Sequence, residues 1–152
     1  MKDHLAIRAI IKGIVNSDST TKGDLGRRFA AHLGLTPGPM GRDGGVDGSG
    51  FWQGQEIYFQ SKLRKSLLDK DEAYIFYGQL DTHQPDIAIL LAGIGYNSKF
   101  EYHLNTRSNI DRFKIHLLTL EDIFQETSIF EAAVEDLPPL RDLGNGVWEE
   151  FR

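Results

Sequence analysis

A glycine-punctuated hairpin is the feature that most limits the folds open to this chain. Residues 46–52 predict a strand, Gln53-Gly54 predicts a tight turn, and residues 56–62 predict the antiparallel partner. Residues 67–80 then have a helical pattern, and residues 87–91 form an apolar run that is typical of a buried strand. A hairpin that continues into a helix and a buried strand favours an α/β domain, with a central mixed β-sheet flanked by helices.

The rest of the sequence extends this alternation at both ends. The further elements expected in chain order are helices over residues 6–15, 20–33 and 98–107, a strand over residues 113–118, and a helix over residues 120–124. Thr20 or Thr21 is expected to cap the second helix and Gly34 to end it, whereas Thr119 is expected to cap the last one. Two prolines and four glycines predict an irregular loop over residues 36–45.

Length and composition indicate one globular domain over residues 1–152 with an acidic tail over residues 135–152. The chain has no cysteine, so a metal would be held by oxygen or histidine, which favours Mg²⁺ or Mn²⁺ over structural zinc. No apolar run reaches the roughly 20 residues of a membrane helix, and the polar start does not resemble a signal peptide. We therefore expect a cytoplasmic protein without a membrane partner.

The net charge of −5 argues against a nucleic-acid partner, but the cations are clustered. One group lies in residues 62–65 and a second comprises Lys22, Arg27 and Arg28, whereas residues 121–150 are acidic. A basic face backed by an acidic one is compatible with phosphate binding, so the charge alone does not exclude DNA.

The hairpin carries a set of side chains suited to phosphodiester hydrolysis. Alternation along a strand places Tyr58, Gln60 and Lys62 on one face, and Asp47 lies in the preceding strand between glycines. The Asp47 carboxylate, the Gln60 amide oxygen and the Ser61 main-chain carbonyl offer three oxygen ligands for a divalent cation. Lys62 adds a positive charge for the transition state or for the attacking water.

The sequence Gly-Gly-Val-Asp-Gly at residues 44–48, followed by Gln60-Ser61-Lys62, resembles the core motif of the PD-(D/E)XK restriction-endonuclease-like superfamily. The resemblance is greatest to the Mrr-like branch, which has Gln-x-Lys in place of Glu-x-Lys. It covers about residues 22–125 and implies that Asp47 binds metal, that Gln60 assists, and that Lys62 is catalytic. The family also has an acidic residue on an upstream helix, and Asp24 is its best match here.

The resemblance implies a Mg²⁺-dependent endonuclease of double-stranded DNA, of restriction or homing type, in which Mn²⁺ can substitute. Because a double-strand cut needs two sites, a homodimer or homotetramer is expected. Loops over residues 36–43, 63–70 and 93–99 are the candidates for DNA specificity. The candidate DNA contacts are Lys22, Arg27, Arg28, Arg42, Arg64 and Lys65.

Other interpretations of the same residues remain open. Asp47 between glycines is also typical of a turn, Gln60 and Lys62 of a solvated strand face, and Asp24 of a helix start. The two N-terminal helices also resemble a helix-turn-helix, which would make the protein a winged-helix regulator without an active site. A third hypothesis is a degenerate nuclease fold that serves as a binding module.

Overall fold

The structure is a computed structural model that describes residues 3–39 and 46–143. These residues form α-helices and β-strands, with a 3-10 turn at Ile110–Arg112. In chain order the elements are α1 (His4–Val15), α2 (Ser19–His32), β1 (Thr36–Pro37), β2 (Gly48–Trp52), β3 (Gln55–Lys62), α3 (Lys70–His83), β4 (Ile87–Ala92), α4 (Ser98–Asn105), β5 (Lys114–Thr119), α5 (Leu120–Gln125) and α6 (Ser128–Val134).

The strands form one five-stranded mixed sheet in the order β1-β2-β3-β4-β5. Strands β1, β2 and β3 pair antiparallel, whereas β3, β4 and β5 pair parallel. The carboxyl ends of β3, β4 and β5 therefore lie at one end of the sheet, and β2, which runs antiparallel to β3, begins near that end. This architecture confirms the expected α/β class with a mixed sheet flanked by helices.

Helices cover both faces of the sheet, which explains why all six residues of β4 are buried. Ile57 and Phe59 of β3 pack into a core with residues of α1, α2, α5 and α6. Tyr58, between them, packs into a second core with residues of α3 and α4. The alternation predicted for residues 57–59 is therefore confirmed, and the two faces of β3 meet different helices.

Side-chain caps fix where the helices begin. Asp18 caps α2 through the Thr21 main-chain N–H, so the expected cap at Thr20 or Thr21 is wrong by two or three residues. Asp69 caps α3, which starts later than the expected residue 67. The delay has a local cause, because the Leu68 N–H donates to the carbonyl of Gly95 and is held in a β-bridge. Thr119 caps α5 through a capping box with Asp122, which confirms that cap.

Two elements were not expected from the sequence. β1 lies inside the predicted irregular loop, because Thr36 and Pro37 pair with Ser49 and Gly48 of β2. α6 follows α5 after a single turn and contributes Phe130 to the core below the sheet. Residues 40–45 of the loop and the end of the acidic tail, from residue 144, lie outside the described residues. Within residues 3–39 and 46–143, no helix combines the length and apolar character that crossing a membrane requires.

Candidate functional site

Asp47 lies where the β2–β3 hairpin opens. Its N–H donates to the carbonyl of Phe59 at 3.0 Å, and its own carbonyl accepts from the N–H of Gly38 at 2.8 Å. The sheet register already places Gly48 opposite Phe59. Two consecutive residues therefore face Phe59, as in a β-bulge, and such an extra residue redirects the side chain of its strand.

The redirected Asp47 carboxylate is held by Ser61. Its Oδ2 accepts from the Ser61 main-chain N–H at 2.7 Å and from the Ser61 hydroxyl at 3.1 Å. Gly26 of α2 covers this contact, because a Cβ built on it would overlap Ser61 Oγ and lie 3.4 Å from Asp47 Cγ. The Asp47 carboxylate therefore points to the side of the sheet that α2 covers.

Gln60 points to the opposite side, toward α3. It is only 2% exposed, and its Oε1 accepts from the hydroxyl of Tyr58 at 3.1 Å. A buried amide with a hydrogen-bonded oxygen is an ordered group rather than a solvated one. The interpretation of Gln60 as a solvated side chain on an exposed face is therefore wrong.

Lys62 lies on the same face as Gln60 and meets a buried acid. Lys62 Nζ is 3.9 Å from Glu72 Oε2, and Arg64 Nη2 is 3.1 Å from Glu72 Oε1. Glu72 belongs to the first turn of α3 and is 7% exposed. Gln60, Lys62 and Glu72 lie against Ile75, Phe76 and Leu90, and the space among these six side chains is too small to hold a water molecule.

The structure thus brings some of the predicted site residues together and separates others. Gln60 and Lys62 share a face, as alternation predicted, but Asp47 lies on the other side of β3 with Ser61. The bulge at Asp47 is the physical reason for this separation, and the assignment of Asp47, Gln60 and Lys62 to one site stays a prediction. Within the described part of the chain, no three His, Cys, Asp or Glu side chains are grouped so that they could hold a metal ion.

Asp24 lies in the middle of α2 rather than at a helix start. It precedes Gly26 by two residues, which corresponds to about 200° around a helix axis. Its side chain therefore leaves α2 on the side away from the Gly26 contact with Asp47. This placement does not favour Asp24 as a metal ligand, and that assignment stays a prediction.

Glu72 is the residue that sequence reasoning missed. The sequence predicts a helix over residues 67–80, which contains Glu72, but gives this acid no role. The available signal was the parallel β3–α3–β4 order. A helix that follows a strand returns across one face of the sheet, so an acid in its first turn comes near the carboxyl end of that strand.

The candidate DNA contacts are dispersed. Arg64 and Lys65 are exposed beside Lys62, where a phosphate could reach them. Arg27 is 9% exposed and its Nε donates to the carbonyl of Gly38 at 2.7 Å, which does not favour a DNA contact, and that assignment stays a prediction.

Two further candidates lie on α2, and one is not described. Arg28 is exposed but lines an apolar groove between α1, α2 and α5, and Lys22 is half-buried. Both assignments as DNA contacts stay predictions. Arg42 lies outside the described residues.

Comparison with known protein families, curated proteins and solved structures gives no match to this chain.

Proposed function

We propose that this chain is a Mg²⁺-dependent endonuclease of double-stranded DNA, with a restriction-endonuclease-like form of its α/β fold. The observation that carries the proposal is the arrangement at the carboxyl end of β3. Gln60 and Lys62 lie there on one face beside buried Glu72, and Ser61 between them binds the Asp47 carboxylate. Burying polar groups of this kind costs free energy that only their hydrogen bonds and ion pairs offset, and such departures from an apolar core are expected at functional sites.

The oxygen donors suit magnesium in kind, since carboxylate, amide and main-chain oxygens are its preferred protein ligands. Asp47, Gln60 and the Ser61 carbonyl are the groups that would hold the ion. When bound, a divalent cation polarises the phosphate and lowers the pKa of a coordinated water. The Asp47 carboxylate and the Gln60 amide lie on opposite faces of β3. To share one ion with Gln60, the Asp47 carboxylate would have to give up its hydrogen bonds from Ser61 and bind the metal instead.

Lys62 supplies the positive charge on the Gln60 face. Its side chain is 26% exposed, so it is partly open to solvent beside the Glu72 carboxylate. An ammonium in that position can stabilise negative charge that develops on a phosphate. Arg64 and Lys65 continue the positive charge along the next residues, where contacts to the DNA backbone would add affinity without sequence specificity.

A cleavage assay with matched variants tests the proposal. Plasmid DNA is incubated with the protein in Mg²⁺, Mn²⁺ or EDTA, beside Asp47→Asn and Lys62→Met. We expect cleavage only with metal, and a loss of about 100-fold or more in each variant, the usual scale for removing a charge-stabilising group. The controls are Asp81→Asn on α3 and Lys12→Met on α1, both exposed, which should cleave like the wild type. Equal cleavage by both site variants and their controls would refute the site.

The same assay reports on assembly. A homodimer or homotetramer would place two sites on one duplex and produce linear plasmid directly, whereas a monomer would accumulate nicked circles first. Sedimentation of the protein at the concentration used for cleavage supplies the matching measurement. Linear product from a sedimenting monomer would contradict the expected oligomer.

The separation of Asp47 from Gln60 favours one second candidate, a nuclease-like fold that binds DNA without cutting it. This alternative predicts binding that is the same in EDTA and in Mg²⁺ and that survives Asp47→Asn, with no nicking in either metal. The fold does not favour the alternative interpretation of the two N-terminal helices as part of a winged-helix regulator. α2 packs Gly26 on Ser61 of β3 and Ala30 on Gly48 of β2, which does not favour α2 as a free recognition helix.

A further inference from the structure

Glu72 is a buried carboxylate that has no role in the reaction proposed above. Its side chain is 9% exposed, and the Coulomb attraction to two cations offsets the cost of removing it from water. Both cations, Lys62 and Arg64, come from the carboxyl end of β3 and the residues just after it. One acid on α3 therefore fixes two cations at the candidate reaction centre.

The geometry favours a positioning role for Glu72 over a role as a metal ligand. Its two carboxylate oxygens are each directed at a different cation, one at Lys62 Nζ and one at Arg64 Nη2. On its other sides Glu72 lies beside Ile75, Phe76 and Leu90, and the space between them is too small to hold a water molecule. Apolar walls leave little room there for the water molecules that Mg²⁺ usually retains.

We propose that Glu72 is a positioning residue that holds Lys62 and Arg64 at the carboxyl end of β3, so that both face one phosphate of the DNA backbone. This inference rests on the proposed nuclease function. Without Glu72, the two long side chains would disperse into solvent and repel each other, and Lys62 would lose its fixed position beside Gln60. Glu72 also cancels one of the two positive charges, which limits how tightly the site holds DNA.

The loss of one negative charge in Glu72→Gln should change DNA binding and cleavage in opposite directions. Removing the acid leaves two uncompensated cations, so DNA binding in EDTA should tighten about threefold, with a salt dependence steeper by about one phosphate contact. Cleavage at saturating Mg²⁺ should instead fall by about 10-fold to 100-fold, because Lys62 is no longer held in place. A residue that served only the fold would weaken binding and cleavage together.

The experiment compares Glu72→Gln and Glu72→Asp with Asp71→Asn, an exposed acid in the same first turn of α3. Each protein is measured for thermal unfolding, for DNA binding in EDTA across a salt series, and for cleavage across a Mg²⁺ series. Glu72→Asp keeps the charge but shortens the reach, so it should retain the wild-type salt dependence and lose part of the cleavage rate. It also keeps the test decisive if Glu72→Gln fails to fold.

Opposite changes in binding and cleavage, with an unchanged half-saturating Mg²⁺ concentration, support the positioning role. A Mg²⁺ requirement raised about tenfold or more would overturn it in favour of a metal ligand. Parallel losses, or no change relative to Asp71→Asn, would also overturn it. If the wild type binds DNA but does not cleave it, the nuclease proposal fails, while the salt series still decides whether Glu72 restrains the two cations. If the wild type does not bind DNA, both proposals fail.

Discussion

The Oδ2 atom of Asp47 lies 2.7 Å from the main-chain nitrogen of Ser61 and 3.1 Å from its hydroxyl. One carboxylate oxygen thus joins the start of β2 to the end of β3 at the point where the hairpin opens. Gly26 of α2 packs directly on this contact, and any larger side chain there would meet Ser61 first. Asp47, Ser61 and Gly26 thus bring α2 and the β2–β3 hairpin into direct contact at the candidate site.

Gly26→Ala should therefore destabilise the protein, against the usual preference of helices for alanine. The added Cβ overlaps Ser61 Oγ, so the hydroxyl must leave Asp47 or α2 must shift. We expect the free energy of unfolding in urea to fall by about 1–3 kcal/mol, which is typical of overpacking. Cleavage should fall as well, because a shift of α2 or of Ser61 would displace the Asp47 carboxylate that would hold the metal.

Two variants control this prediction. Gly23→Ala lies one turn earlier on α2 with open space around it, so it should stabilise the protein by about 0.5–1 kcal/mol through helix propensity. The double variant Gly26→Ala/Ser61→Ala removes the overlapping hydroxyl and should recover most of the loss. If Gly26→Ala is as stable as Gly23→Ala, then α2 does not pack on Ser61 as described.

Gln60→Glu should make the candidate site bind magnesium more tightly. The change keeps the shape of the side chain and adds a charge on the face that Lys62 occupies, and the Tyr58 hydroxyl can still donate to it. Because a carboxylate is a stronger ligand than an amide for a hard cation, the half-saturating Mg²⁺ concentration for cleavage should fall about fivefold. In EDTA the buried charge should cost about 1–3 kcal/mol of stability.

The matched control for that prediction is Gln55→Glu, an exposed position on the same strand. It should change neither the metal requirement nor the urea midpoint. Unfolding measured with and without Mg²⁺ separates the two effects, because a bound ion stabilises the folded state by mass action. If Mg²⁺ does not restore any stability to Gln60→Glu, then Gln60 is not beside a metal site.

The sequence predicts the mixed sheet and most of the helices because hydrophobic periodicity reports burial directly. The apolar run of β4 predicts a strand that is buried on both faces. The alternation of Tyr58, Phe59 and Gln60 predicts that the two faces of β3 meet different helices. β1 was missed because Pro37 and the nearby glycines disfavour a strand by composition. Its two residues pair only because β2 presents an edge beside them.

The site was harder to predict than the fold because it depends on one residue of register. Regular pairing would place Asp47 opposite Gln60 and on the same face. The extra residue opposite Phe59 changes that face, and no periodicity in the sequence indicates a bulge. Glu72 is a long-range partner of Lys62, so its role depends on how α3 crosses the sheet rather than on any local pattern.

Tyr96→Phe should weaken the link between the two parallel strands that border the site. The Tyr96 hydroxyl lies 2.9 Å from the carbonyl of Leu90 in β4 and 2.7 Å from that of Leu118 in β5. Burial raises the pKa of Tyr96 well above its ordinary value, so the phenol keeps its proton and can donate. Removing it leaves buried carbonyls without this donor and should cost about 1–3 kcal/mol in urea unfolding.

Tyr102→Phe is the control for that variant, since Tyr102 on α4 is 65% exposed. It should unfold at the wild-type urea concentration. The cost of Tyr96→Phe should also stay constant from pH 5 to pH 9, because the hydroxyl remains protonated throughout. A cost that disappears at the upper end of this range would show that the phenol ionises there, contrary to its burial.

Asp136→Asn should lower stability in a way that depends on pH. Asp136 ends the turn after α6 and ties it to the outer strand β5, with Oδ2 2.7 Å from His116 Nε2 and 2.9 Å from Lys114 Nζ. Partial burial alone would raise the pKa of the Asp136 carboxyl. The hydrogen bonds and positive charges of His116 and Lys114 outweigh that burial, so the pKa is lowered from its ordinary value.

A lowered pKa in the folded state means that the unfolded chain takes up the proton more readily as the pH falls. The stabilisation is therefore fully present above the unfolded value of about 3.9 and is lost as the pH drops through the folded value. At pH 7 we expect Asp136→Asn to cost about 1–2 kcal/mol in urea unfolding, and the difference from the wild type to shrink steadily below pH 4. Asp111→Asn, an exposed acid on the turn before β5, controls for the loss of a negative charge. An Asp136→Asn deficit of the same size at pH 3 and pH 7 would mean that packing of the turn, rather than the ionised carboxylate, holds α6 to β5.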